Sequence, residues 1–263
     1  MSQSCPITPD IEAIYAHRPA DIDPEHWRAR VNLAAAYRLA ARQGWDDIIY
    51  THLSLRLPGH DDIFLINPFG LRFDEICASN LLLIDTQGQV VDGTGRRANP
   101  SGFAIHGAVH RARADAHCVI HLHTDASIAV SALSCGLLPL SQHAMRFWQD
   151  IGYHPYAGLA FAPDEQQALL QHLGKHPALL LRNHGALTCG RTVAEAYVLM
   201  DALERACRIQ LSAMAASPQL HLPTQDVLAL THRQLLPGNE PEGLLEWPAL
   251  LRKLYQSEPN FCR

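Results

Sequence analysis

The stretch CVIHLHTD (118–125) places two histidines one residue apart, His121 and His123, at the end of an apolar run. Side chains in a strand alternate faces, so the two imidazoles share a face while Leu122 points to the other. With a backbone separation of about 7 Å they can converge on one ion. Imidazole suits zinc and other borderline divalent metals, and neutral histidine presents its lone pair near pH 7. Such a site needs a third protein ligand, and an open position if it is catalytic. His184 meets that need: it interrupts two apolar runs where Asn183 and Gly185 allow a tight turn that exposes a side chain. The plain alternative is a pair of strand-end histidines, because an HxH pair arises readily by chance among 16 histidines. His106 and His110, four apart on an expected helix, form a second pair able to share an ion. No glutamate follows His106, so this is not the HExxH arrangement, and it reads as a packing pair.

Other chemistries lack support. There is no GxSxG elbow, no GxGxxG or Walker-type glycine loop, and no cysteine in a setting that would lower its pKa. Asp125 reads as a helix cap and Asp150 as a solvated loop residue. The catalytic acid–base residue is therefore unassigned. A net charge of −5 gives no basic footprint, which argues against nucleic acid as a partner. Seven cysteines, none in a CxxC pair, predict reduced thiols and a cytoplasmic setting. No signal-peptide pattern opens the chain, and no apolar run has the length to span a bilayer.

The elements that must position these histidines follow from periodicity. Apolar residues recur at three and four from Pro24 to Arg42, an amphipathic helix ended by Gly44. Alternation through Ile49, Thr51, Leu53, Leu55 and Leu57 predicts a strand closed by Pro-Gly, and 62–70 and 80–85 predict two more. Residues 99–115 read as a helix capped by Asn99 or Ser101, 116–124 as a strand, and 125–133 as a helix capped by Thr124 or Asp125. A short helix at 164–175 precedes the two apolar runs of 177–190. Thr192 and Glu195 open the longest helix as a capping box. Further helices are expected near 224–235 and 248–256. The partition is a lead-in at 1–22, an α/β domain at 23–216 and a helical extension at 217–263.

These blocks resemble the class II aldolase/adducin family, in its adducin-like bacterial branch. The resemblance runs from about Arg30 to Met214 and is carried by DIIYTHLSLRLPG, FLINPFGLRFDEI, NPSGFAIHGAVHRARADAHCVIHLHT, ALLLRNHGALTCGRTVAEAY and LERACRIQ. It implies a three-layer α/β/α fold with a central, mostly antiparallel sheet, and a homotetramer with sites near subunit interfaces. It also implies a divalent metal, usually zinc, on His121, His123 and His184, acting as a Lewis acid on a small hydroxy-carbonyl or sugar-type substrate through an enediolate. The glutamate that moves the proton in family aldolases falls on Gly102, which cannot do so. The aspartate of family epimerases falls on Met145. Of the phosphate-cradling positions, Gly70 and Ser101 remain as candidate substrate contacts, while Thr51-His52, Phe69 and Pro100 replace smaller donors. The resemblance thus implies an aldolase-like lyase or an epimerase. Its alternative is a non-enzymatic, adducin-head-like oligomerising module with a structural or vestigial metal.

Overall fold

Seven short strands make one sheet: β1 (His52–Arg56), β2 (Phe64–Ile66), β3 (Leu82–Ile84), β4 (Cys118–Leu122), β5 (Gly152–His154), β6 (Ala178–Leu181) and β7 (Gly185–Gly190). Their order across the sheet is β3-β2-β1-β4-β7-β6-β5. Every ladder is antiparallel except β5 with β6. The computed structural model describes residues 10–158, 163–236 and 238–263, without the side chains of 100–102 and 163. The helices among them are α1 (Ile11–Tyr15), α2 (Pro24–Arg42), α3 (Pro100–Ala112), α4 (Asp125–Ala132), α5 (Gln142–Met145), α6 (Pro163–Leu173), α7 (Val193–Ala216), α8 (Gln225–Leu235) and α9 (Glu246–Ser257). None of these is long and apolar enough to cross a membrane.

Strand alternation splits the core into layers. Leu53, Leu55, Ile120, Leu122, Leu180 and Ala186 face the larger cluster, with side chains of α2, α7 and α9. Val119, Leu179, Leu181 and Leu187 face the other way, against Ile105 and Val109 of α3 and Leu169 and Leu173 of α6. The arrangement is the expected α/β/α sandwich, with the sheet buried on both sides. Each fully covered leucine contributes about 2 kcal/mol. The residues read as a lead-in and an extension join the larger core through Ile14, Trp247 and Leu254.

The helix starts follow local chemistry. Asp23 accepts from the N–H groups of Glu25 and His26, Pro24 fills the first turn, and the chain leaves α2 at Gly44 with φ 69°. Thr192 accepts from the Glu195 N–H at 3.1 Å, as a cap should. The Glu195 carboxylate, however, takes the Arg191 N–H at 2.6 Å, so only half of the expected box has its predicted partner. Two expectations need correction. The strand predicted from Ile49 begins only at His52, because Ile48 (φ 53°) and Thr51 (φ 64°) lie in the left-handed region. Buried Trp45 anchors the chain there, and Tyr50 N–H donates to the Asp47 carbonyl at 2.8 Å, so a turn overrides the β-branched pattern. The sequence reading also has no strand at Gly152–His154, a three-residue edge that pairs, among the described residues, only with β6.

Candidate metal centre

His121 is the fourth residue of β4 and pairs across the ladder with His52 of β1 on one side and Leu187 of β7 on the other. His123 follows β4 immediately, just before Thr124, whose side chain caps α4 by accepting from Ser127 N–H. His184 comes from the three-residue link between β6 and β7, where Asn183 takes φ 57°. That link is pinned from below. The Arg182 guanidinium donates to the carbonyls of Ser131 (2.9 Å) and Leu133 (2.6 Å), and the Asn183 N–H donates to Ser131 Oγ at 3.0 Å. The three imidazoles expected to act together are thus brought to one end of the central strands.

Gly185 sets the spacing of this corner. A Cβ there would stand 2.3 Å from the Leu122 carbonyl oxygen and 3.3 Å from His123 Cδ2. Gly185→Ala should therefore push β7 off β4 beside two of the imidazoles. We expect a loss of about 3 kcal/mol in urea unfolding, with weakened cation binding; an unfolding curve unchanged from wild type would show that the close approach is not required.

The donor atoms lie within 4.8 Å of one another. His121 Nε2 and His123 Nε2 are 3.2 Å apart, and His184 Nε2 is 3.0 Å from His123 Nε2. The outer nitrogens define the tautomers. His121 Nδ1 is 3.0 Å from the Ala186 carbonyl and His123 Nδ1 is 2.9 Å from Asp47 Oδ2, acceptors that require an N–H. Both Nε2 atoms then carry lone pairs that face each other with no proton between them. A cation at their centre resolves that repulsion. Tetrahedral zinc with bonds of about 2.0–2.1 Å sets its nitrogen ligands about 3.3 Å apart, close to the two separations measured from His123 Nε2. Burial, reinforced by its histidine neighbours, holds the His121 pKa well below the usual value. Burial, with His123 and His154 nearby, takes His184 down to about 4. Converging imidazole lone pairs fit a divalent metal.

Residues 31–211 match the family described as class II aldolase and adducin N-terminal domain. The chain belongs to the class II aldolase/adducin family. A crystal structure of an aldolase II superfamily protein from Pseudomonas syringae is 46% identical with a TM-score of 0.89, over 92% of this chain and 98% of that one. Mouse alpha-adducin is 42% identical over 191 residues, which is 72% of this chain and 26% of the adducin. The L-fuculose 1-phosphate aldolase from Glaciozyma antarctica PI12 is 28% identical with a TM-score of 0.82, over 97% of this chain and all of that one.

In this member of the class II aldolase/adducin family a cleft of about 660 Å³ opens on His123, lined also by Asp46, Asp47, Asp125, Glu204 and Arg208. Glu204 is buried, accepts from Thr124 Oγ1, and has its carboxyl pKa raised by desolvation. A second cavity, about 360 Å³, lies at the opposite end of the strands, past Cys189 and Gly190. Its arginines are already engaged: Arg113 with Asp115, Arg146 with Glu242, Arg191 with Glu195. Gly70, with φ 104°, is an exposed turn residue and is not among those lining the His123 cleft. The side chain of Ser101 lies outside the described residues.

The His106–His110 pair serves packing, as its sequence suggested. Ser54 Oγ sits 2.7 Å from both His106 Nδ1 and His110 Nε2, and His110 Nδ1 donates to the Ala116 carbonyl at 2.8 Å. This string fastens α3 to β1 on the face of the sheet that carries His121. Sequence reasoning missed Asp47, and it named His52 without placing it beside His121. His52 shares a face with His121 through their register, a relation visible only once β1 and β4 are paired.

Proposed function

We propose that this chain is a divalent-metal-dependent lyase or epimerase of the class II aldolase type, acting on a small hydroxy-carbonyl substrate. The single observation that carries this reading is the convergence of the Nε2 atoms of His121, His123 and His184 on one point beside an open cleft. Zinc is the ion we assign, held by those three nitrogens, because the donor set is all imidazole. Bound there, the metal would supply Lewis-acid stabilisation to the oxygens of an enediolate. The chain's own residues supply the rest. The β4 ladder and the Ala186 carbonyl orient His121, and the pinned link of Arg182 and Asn183 orients His184. Gly102 offers no group to move a proton, so that duty passes to another residue; Asp125 and Glu204 are the carboxylates the cleft offers beyond Asp46 and Asp47. A homotetramer in the cytoplasm completes the reading, supported by family resemblance and by scattered cysteines that are unpaired among the described residues.

The second reading, a non-enzymatic module like the adducin head, is favoured by the 42% identity to mouse alpha-adducin and by Gly102. One experiment separates the two. Zinc-loaded and chelator-stripped protein would be offered a panel of hydroxy-carbonyl compounds, phosphorylated and free, with aldehyde release and epimerisation followed. We expect one tightly held metal per chain and turnover of at least one compound by the loaded form alone. Stoichiometric metal without any turnover across the panel would favour the adducin-like module instead.

A further inference from the structure

The link between α2 and β1 carries a carboxylate to the metal centre. Trp45 is 3% exposed and its ring lies 5.7 Å from that of Tyr197, which fixes the start of the link. Arg72 pairs with Asp46 at 3.3 Å. The Tyr50 N–H then closes a turn on the Asp47 carbonyl, with Ile48 at φ 53° and largely exposed. A β-branched residue is disfavoured in that region, and such strain persists where the surroundings impose it. The turn sets Asp47 Oδ2 2.9 Å from His123 Nδ1.

Compared with His121, His123 has particular need of such a partner. His121 lies within the ladder and finds the Ala186 carbonyl of β7. His123 stands one residue past the end of β4, with about a quarter of its side chain exposed. Left to water, an imidazole prefers its proton on Nε2, the atom that must here be bare. We propose that Asp47 is the positioning residue of the centre: it holds the His123 proton on Nδ1, fixes the ring's orientation and makes Nε2 a stronger donor toward a divalent cation. The inference rests on the metal reading above and extends it to a residue far from the three histidines in sequence. A carboxylate behind a ligating imidazole governs both tautomer and basicity, and removing one weakens metal binding about 10–100-fold.

The test uses the full chain, stripped of metal, as wild type, Asp47→Ala and Asp47→Asn. Cobalt(II) binding is followed by its visible absorption in competition with a chelator, and the His123 tautomer by long-range ¹H–¹⁵N correlation in the metal-free protein. We expect Asp47→Ala to bind cobalt(II) about 10–100-fold more weakly and to move the His123 proton to Nε2. Asp47→Asn, whose side-chain oxygen still accepts from Nδ1–H, should keep that tautomer and bind within about threefold to tenfold of wild type. A merely structural role for Asp47 would lower the unfolding midpoint and leave both readouts in place. Cobalt(II) affinity in Asp47→Ala equal to wild type, with Nδ1 still protonated, overturns the proposal while sparing the metal reading. Failure of wild type to bind cobalt(II) overturns the metal reading, and this proposal with it.

Discussion

His123→Ala should weaken binding of a divalent cation about a thousandfold and leave the fold nearly as stable as before. Apparent binding energies for well-formed zinc sites run to about 10–16 kcal/mol, so one ligand of three or four accounts for about 3–4 kcal/mol. The fold has little stake in this ring: His123 lies beyond the last residue of β4, and its hydrogen bonds run to the other two imidazoles and to Asp47. His121 is a poorer choice for the experiment, because it is buried and its loss would also strip the Ala186 carbonyl of a partner. His176 provides the control. It bonds Asp150 at 2.9 Å and lies far from the triad, beside the second cavity, so His176→Ala should bind cation as wild type does. Metal content after dialysis and a chelator-competition titration give both answers. Unchanged affinity in His123→Ala would remove this residue from the site, and equal losses in both variants would point to general damage.

The parts of this centre written in short range were readable from sequence. Asp23 before Pro24, the apolar period through α2, and Gly44 after it state a helix and its two ends within one local pattern. The alternating run through Val119 and His121 and the Asn183-His184-Gly185 break likewise carry their own geometry, and the fold puts both where that geometry requires. Asp47 had no such signal. It lies 76 residues from His123, in a stretch whose Ile48, Ile49 and Thr51 read as strand. The turn that aims it depends on Trp45 being buried against Tyr197, a contact between α7 and the link after α2. His52 shows the same limit from the other side. Its place in a strand was legible, but the imidazole beside it came from the β1–β4 register. Local propensity places elements; the chemistry between elements waits on how they pair.

Acidification provides the other large effect, through the histidines between α3 and the sheet. His110 is fully buried, stacks on Phe64 with centroids 4.6 Å apart, and has both ring nitrogens engaged by Ser54 and Ala116. Burial, reinforced by the charges of Arg56 and His117, takes its pKa down from the ordinary 6.5 to about 3. His106 is lowered in the same direction, chiefly by burial. Below pH 6.5 the unfolded chain takes up a proton at each of these positions while the folded chain does not. Stability therefore falls as pH falls, by about 1.4 kcal/mol per pH unit for each such group, until the folded pKa is reached. Between pH 6.5 and 4.5 His110 alone should cost on the order of 3 kcal/mol. Glutamine at this position keeps a donor and an acceptor but does not titrate. Urea unfolding of wild type and His110→Gln in the presence of chelator isolates the effect, since the metal-facing histidines contribute equally to both. The variant should be the less stable protein near pH 7.5, where its hydrogen bonds are imperfect, and should lose about 3 kcal/mol less than wild type on going to pH 4.5. Parallel pH profiles for the two proteins would mean that His110 is protonated in the fold, and that Ser54 and Ala116 accept from an imidazolium rather than share a neutral ring.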